Sequence, residues 1–172
     1  LASLGIPMIV FTEWQETHPL GRAEWVRLVG AITGRDSAAE TYFSREVKDY
    51  KALQQKASST RERPLVICNL PYKGAWYVPG GDSYMSNLLS DAGSQYAWSD
   101  NPETGGVQMA FEAVYAKGLL ADYWINPGFS HSVTEILDKD ERLADFKAIK
   151  SGKIYNNTRR LQRGEANDYW ES

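Results

Sequence analysis

The sequence predicts an α/β fold: a three-layer α/β/α lobe with a mainly parallel sheet, preceded by a long helix and the remnant of another lobe. Three observations carry this prediction. Short, continuous apolar runs alternate with helical patterns beyond residue 60, as strands buried on both faces do. A periodic stretch from Ser37 to about Ser58 is long for a small domain, at ~22 residues and roughly 33 Å. A polar, charged break, Ser58–Arg63, separates the two regimes. The boundaries drawn from these features are residues 1–36 for the remnant lobe, 37–59 for the interlobe helix and 60–172 for the C-terminal lobe.

In chain order, Pro7–Phe11 (Met8, Ile9, Val10, Phe11) reads as a short buried strand. Trp25, Leu28, Val29 and Ile32 fall at helical spacing over Gly21–Thr33, and Gly34 is a natural stop. Ser37-Ala38-Ala39-Glu40 reads as a capping box opening the long helix, whose stripe is Ala39, Phe43, Val47, Tyr50, Gln54 and Ala57. Pro64–Leu70 is a buried strand. Asp82 or Ser83 caps a helix that stops at Gly93. Tyr96–Trp98 is a short strand, Ala110–Lys117 a helix and Ala121–Asn126 a strand. Ser132-Val133-Thr134-Glu135 is a second capping box. Leu143, Phe146 and Ile149 mark a helix ending before Gly152, and Lys153–Asn156 is the last strand. Ligands of such sheets sit outside the carboxyl ends of the strands. Here those ends are Asn69–Gly74, Ser99–Gly106, Asn126–Phe129 and Asn156–Arg160.

Composition narrows the function classes. The chain has 172 residues, 42% apolar and 24% charged, with a net charge of −3. It carries no overall basic footprint for nucleic acid. One cysteine, Cys68, excludes an internal disulfide framework and a cysteine-based zinc site, and two histidines are too few for a His-rich metal site. Six Trp and ten Tyr are the unusual figures, since such rings line pockets for flat or greasy ligands as well as cores. No run is long enough to span a membrane. Leu1–Phe11 lacks a basic n-region and a small-residue cleavage site, so it does not read as a signal peptide. The opening residue is not Met and falls inside an apparent element. The expectation is therefore a fragment of a longer protein, with any export signal outside it.

Catalytic templates are lacking: no nucleophile elbow, Walker loop, His-Glu-x-x-His or dinucleotide fingerprint occurs. Val78-Pro79-Gly80-Gly81-Asp82 could hold an anion at a helix N-terminus, but a turn entering a helix is the favoured reading. Asp100, Glu103, Asp138, Asp140 and Glu141 read as solvated or helix-start charges, and His131 as a surface or capping residue. The aromatic clusters are more informative. Trp76 and Tyr77 adjoin a Gly/Pro loop, so one ring should face the core and its neighbour the cleft. Trp124 reads as core. Arg159 and Arg160 follow the last strand, where guanidinium groups suit a carboxylate, phosphate or chelate anion.

Several segments, in this order, resemble the periplasmic substrate-binding proteins of iron-siderophore, haem and cobalamin ABC importers. They are Leu1–Pro7, the helix from Ser37, Trp76–Tyr84 with Asp91-Ala92-Gly93, Phe111–Val114, Ala121–Asn126, Ile154–Asn157 and Asn167–Glu171. The likeness covers nearly the whole chain. It implies two α/β lobes around a cleft, joined by a rigid helix, with most of the N-terminal lobe and the last helix absent here. It implies a periplasmic protein, free or anchored as a lipoprotein. It would have no catalytic residues, no resident cofactor and no metal ligands of its own. The implied cargo is a small-molecule metal chelate: a ferric siderophore first, then cobalamin or haem. The cleft wall it implies is Trp76, Tyr77, Gln108, Asn126, Phe129, Asn157, Arg159 and Arg160. Glu112 matches the family's glutamate that docks on arginines of the membrane permease, the implied partner. The competing expectation is a hydrolase or sugar-active enzyme on a doubly wound fold.

Overall fold

A computed structural model describes residues 2–72, 74–128 and 130–156. The apolar run Leu65–Cys68 forms β1, and it lies inside a parallel sheet of order β4-β1-β6-β7. Its neighbours are β4 (Gln95–Tyr96), β6 (Tyr123–Ile125) and β7 (Ile154–Tyr155). Val66, Ile67 and Cys68 pair with Tyr123, Trp124 and Ile125, and Trp124 pairs with Ile154. Asp122 ties the start of this sheet together. One carboxylate oxygen accepts the Leu65 N–H (2.8 Å) and the other accepts Lys147 Nζ (2.6 Å).

A second sheet, antiparallel and of order β2-β3-β5, was not legible as strands. It comprises β2 (Pro71–Tyr72), β3 (Ala75–Pro79) and β5 (Gly106–Met109). Gly74, at φ +79°, makes the turn between the first two. Along β3 the burial alternates with the pleat: Trp76 and Val78 lie inside and Tyr77 outside. Trp76 is only 1% exposed, so its expected place on the cleft wall is wrong. Its ring stacks with Phe146 (6.2 Å) and tilts against Trp124 (5.8 Å), and its Nε1 donates to Cys68 O (3.1 Å). That bond fastens the second sheet to the carboxyl end of the first. Trp124 is fully buried, as expected. Gly118 ends α4 (Phe111–Gly118) where a Cβ would meet the Phe146 ring at 2.3 Å, so no larger residue fits beneath it.

The preceding residues form a helical arm. In α1 (Pro19–Thr33), His18 Nδ1 accepts the Leu20 N–H and Gly34 closes the end in the left-handed region. Then α2 (Asp36–Ser58) runs for 23 residues, about 34 Å. A Cβ on Gly30 would stand 2.5 Å from that of Ala39, which shows how closely the two helices cross.

Four other expectations are corrected. Met8, Ile9 and Val10 form no buried strand. They are irregular and exposed, Val10 at 76%, because no partner strand lies beside them among the described residues. The Ser37 capping box does not form. The N-cap lies two residues earlier, at Arg35, and Glu40 instead holds the Arg27 guanidinium (2.8 Å). The strand expected at Tyr96–Trp98 is β4, Gln95–Tyr96, because the chain turns away from Ala97 onward. The helix expected around Leu143 and Phe146 is broken into a 3-10 turn, Glu141–Asp145, and a short α6, Lys147–Lys150. The break comes at Phe146, whose backbone is extended (ψ 132°). At Ser132 the cap bond forms as expected, Ser132 Oγ accepting the Glu135 N–H and opening α5 (Val133–Leu137), while the Glu135 carboxylate reaches back one residue further, to the His131 N–H.

Candidate functional site

Three parallel strands end on the same residue type: Asn69 after β1, Asn126 after β6 and Asn156 after β7. An amide side chain suits this place because it tolerates the left-handed backbone and can satisfy groups freed where a strand stops. Asn69 and Asn126 both have positive φ, +65° and +50°. Their side chains link, Asn126 Nδ2 donating to Asn69 Oδ1 (3.3 Å). Asn69 Nδ2 then donates to Tyr77 O (2.9 Å), and Asn156 Nδ2 to Gly128 O (2.8 Å) and Ser130 O (2.9 Å). From behind, Trp124 Nε1 donates to Asn69 O (2.8 Å). The carboxyl edge is thus a rigid amide ladder resting on the aromatic core.

In front of this ladder lies a cleft of about 560 Å³. Asn69, Asn126 and Tyr77 line it from the lobe, together with Thr104–Gly106. Tyr77 is 48% exposed, and its hydroxyl donates to Gln108 Oε1, its cross-strand partner, at 3.4 Å. Trp14 and Arg22 of the arm and Tyr84 also line the cleft. The Arg22 guanidinium lies 5.7 Å from the Tyr84 ring centre and 3.7 Å from Glu13. Burial holds the Tyr84 hydroxyl above its ordinary pKa, so it stays a neutral donor and acceptor. The cleft therefore offers rings for stacking, amides and hydroxyls for hydrogen bonding, and one guanidinium.

Of the residues expected at the site, the structure brings together Tyr77, Gln108 and Asn126, and it places Trp76 behind them in the core. Phe129, Asn157, Arg159 and Arg160 lie outside the described residues. Glu112 is exposed in the first turn of α4 and is not among the residues lining this cleft. Asn69, Tyr84, Trp14 and Arg22 were missed. The recurrence of Asn after each apolar run was a usable signal for Asn69. Nothing local marks Trp14 or Arg22, which reach the cleft only because the arm folds back.

The glycine-rich loop is a turn, as favoured. Gly80 N–H donates to Gly105 O (2.7 Å) and Asp82 N–H to Glu103 O (3.1 Å), while Ser83 Oγ caps α3 (Tyr84–Asp91). A Cβ on Gly80 would stand 2.0 Å from Glu103 O. The glycines thus permit two backbones to pass, and these amides are already taken. Among the described residues, no three His, Cys, Asp or Glu side chains are grouped to hold a metal ion.

An open carboxyl edge faced by a wall from an earlier part of the chain is the form of a ligand-binding α/β lobe. The sequence bears this out: residues 1–160 match the periplasmic binding protein family, and the chain belongs to it. Membership sets it outside the cytoplasmic membrane, in the periplasm or held at the cell envelope. It is similar to an uncharacterized lipoprotein of Methanocaldococcus jannaschii, 26% identical over 98% of this chain but only 39% of that protein. Among solved structures, it resembles the periplasmic heme-binding protein HutB of Vibrio cholerae (TM-score 0.73, 19% identity, 96% of this chain and 64% of that one). It also resembles a protein of an ABC-type Fe3+-hydroxamate transport system from Saccharomonospora viridis (TM-score 0.65, 15% identity, 81% and 48%). The chain thus spans well under half the length of the lipoprotein relative.

Proposed function

We propose that this chain is the C-terminal half of the substrate-binding component of an ABC importer. Its cargo is a metal chelate, a ferric siderophore first and cobalamin or haem as alternatives, carried without chemical change. The observation behind this reading is the cleft itself. Tyr77, Asn69 and Asn126 stand on a rigid edge and face Trp14 and Arg22 across a space of about 560 Å³. Aromatic faces cover an apolar chelate, amides hydrogen-bond its periphery and a guanidinium meets its negative groups. Family membership and structural likeness to a heme-binding protein and to a protein of an Fe3+-hydroxamate transport system support the same class of cargo. Glu112 is the proposed contact for arginines of the permease, since an exposed carboxylate at a helix start can take a bidentate guanidinium.

The test is a tryptophan-fluorescence titration of the whole protein with a ferric hydroxamate, cyanocobalamin and haem. Saturable quenching by one of them is expected. Tyr77→Ala should weaken it by ~1–3 kcal/mol at an unchanged melting temperature. Glu112→Ala should leave binding intact and impair uptake. A flat response to all three ligands would overturn the carrier reading.

A further inference from the structure

The two walls of the cleft come from different parts of the chain, so something must hold them at a set distance. One carboxylate stands at that junction. Asp91, the last residue of α3, accepts the Tyr50 hydroxyl (2.6 Å) and Gln54 Nε2 (2.7 Å), both from α2. His18 Nε2 lies 3.5 Å from the same group. Because His18 Nδ1 accepts the Leu20 N–H, the hydrogen-bond network puts the proton of the neutral ring on Nε2, facing Asp91. Two neighbouring features complete the joint. Asn87 Nδ2, one turn earlier in α3, donates to Thr17 O (2.8 Å). Gly93, at φ +80°, lies against the end of α2, where a Cβ on it would stand 3.0 Å from Ala57 O and crowd that carbonyl.

His18 is four residues from Trp14 and four from Arg22, the arm's two residues on the cleft. A carboxylate that holds Tyr50 and Gln54 and stands 3.5 Å from His18 therefore sets where that wall stands. Two hydrogen bonds to one half-buried carboxylate, with His18 Nε2 3.5 Å away, make a stiff joint, since charge-assisted bonds are about twice as strong as neutral ones. Burial and the carboxylate both keep the Tyr50 phenol protonated, so this donor persists over the physiological range.

We propose that Asp91 is the positioning residue of the cleft, locking the α1–α2 arm to the lobe and so fixing the gap between Trp14 with Arg22 and Tyr77 with Asn126. This rests on the cleft being the binding site, but its test uses no ligand. Nitroxide labels go on Lys48→Cys in α2 and Ala116→Cys in α4, both exposed positions; Cys68 is buried and stays unlabelled. Pulsed dipolar spectroscopy should give one narrow distance. Asp91→Ala should lose it to a broad or displaced distribution. Asp91→Asn should restore it, since an amide still accepts from Tyr50 and can donate to a flipped Gln54. An unchanged distribution in Asp91→Ala would sink the proposal, as would an Asp91→Asn variant as broad as the alanine one. Should Asp91→Ala not fold, Tyr50→Phe combined with Gln54→Leu removes both α2 donors and is read by the same criteria. A narrow, Asp91-dependent distance in a protein that binds no chelate counts against the ligand reading alone.

Discussion

The lobe, residues 65–156, and the arm, residues 2–58, bury their apolar side chains to opposite degrees. In the lobe, Trp76, Trp124, Leu143 and Phe146 are essentially inaccessible to water. In the arm, Ile9, Val10, Trp14 and Leu53 are mostly exposed, Trp14 at 67%. The difference follows from backbone hydrogen bonding. A helix satisfies its own N–H and C=O groups, so α1 and α2 hold their shape with one close crossing and a polar joint at Asp91. A strand satisfies nothing alone, so β1 and β6 depend on neighbours and on the rings that cover them. The same dependence explains Met8–Phe11: a strand-like sequence without a partner strand among the described residues stays irregular. The lobe is thus stabilised mainly by packing, and the arm mainly by local bonds and charged contacts, among them Arg27–Glu40 and the joint at Asp91.

Substitutions that test each side of this contrast differ in size. The largest effect is expected for Trp76→Ala, which empties the centre of the aromatic cluster and strands Cys68 O. It should cost ~3–5 kcal/mol in urea unfolding. A loss under about 1 kcal/mol would mean the core does not depend on this ring. Next, Gly118→Ala forces a methyl group onto Phe146 and should cost ~1–3 kcal/mol, read as a lower melting temperature. Asp122→Asn should cost about 0.5–1 kcal/mol near neutrality, because the Lys147 pair is partly solvated. Its bond to Lys147, then that from the Leu65 N–H, lowers the Asp122 pKa in the folded state. Its contribution is therefore complete above the ordinary carboxylate pKa of ~3.9 and fades as pH falls through the folded value. The stability gap between parent and Asp122→Asn should accordingly hold from neutrality down to pH ~4 and narrow on further acidification; a gap independent of pH would remove the charge from the explanation. The smallest effect belongs to the arm. Val10→Ser, at an exposed and irregular position, should shift stability by no more than about 0.5 kcal/mol. A larger loss would show that this segment is buried in solution.

Much of this organisation was legible. The continuous apolar runs at 65–68 and 121–125 announced parallel strands because a strand buried on both faces has no polar face to show. Ser83, Ser132, Gly34 and Gly93 announced helix ends because capping chemistry is local. The antiparallel sheet was not legible. Its strands are short, and Tyr72–Pro79 carries aromatic, glycine and proline residues that suit a loop equally well. Of the candidate site, the adjacency of Trp76 and Tyr77 foretold that one ring would turn inward, but not which one.

Taken alone, the chain's residues determined its fold class, its family and the edge of the sheet that carries the cleft, because periodicity, caps and strand ends are written within a few neighbouring residues. Only tertiary structure decided that Trp76 belongs to the core and Tyr77 to the surface, and that Trp14 and Arg22 line the same cleft as Asn69, Tyr77 and Asn126, which lie far along the sequence. Those outcomes depend on which face of β3 meets Phe146 and Trp124, and on where Asp91 catches the arm. Such contacts between distant segments leave no local mark.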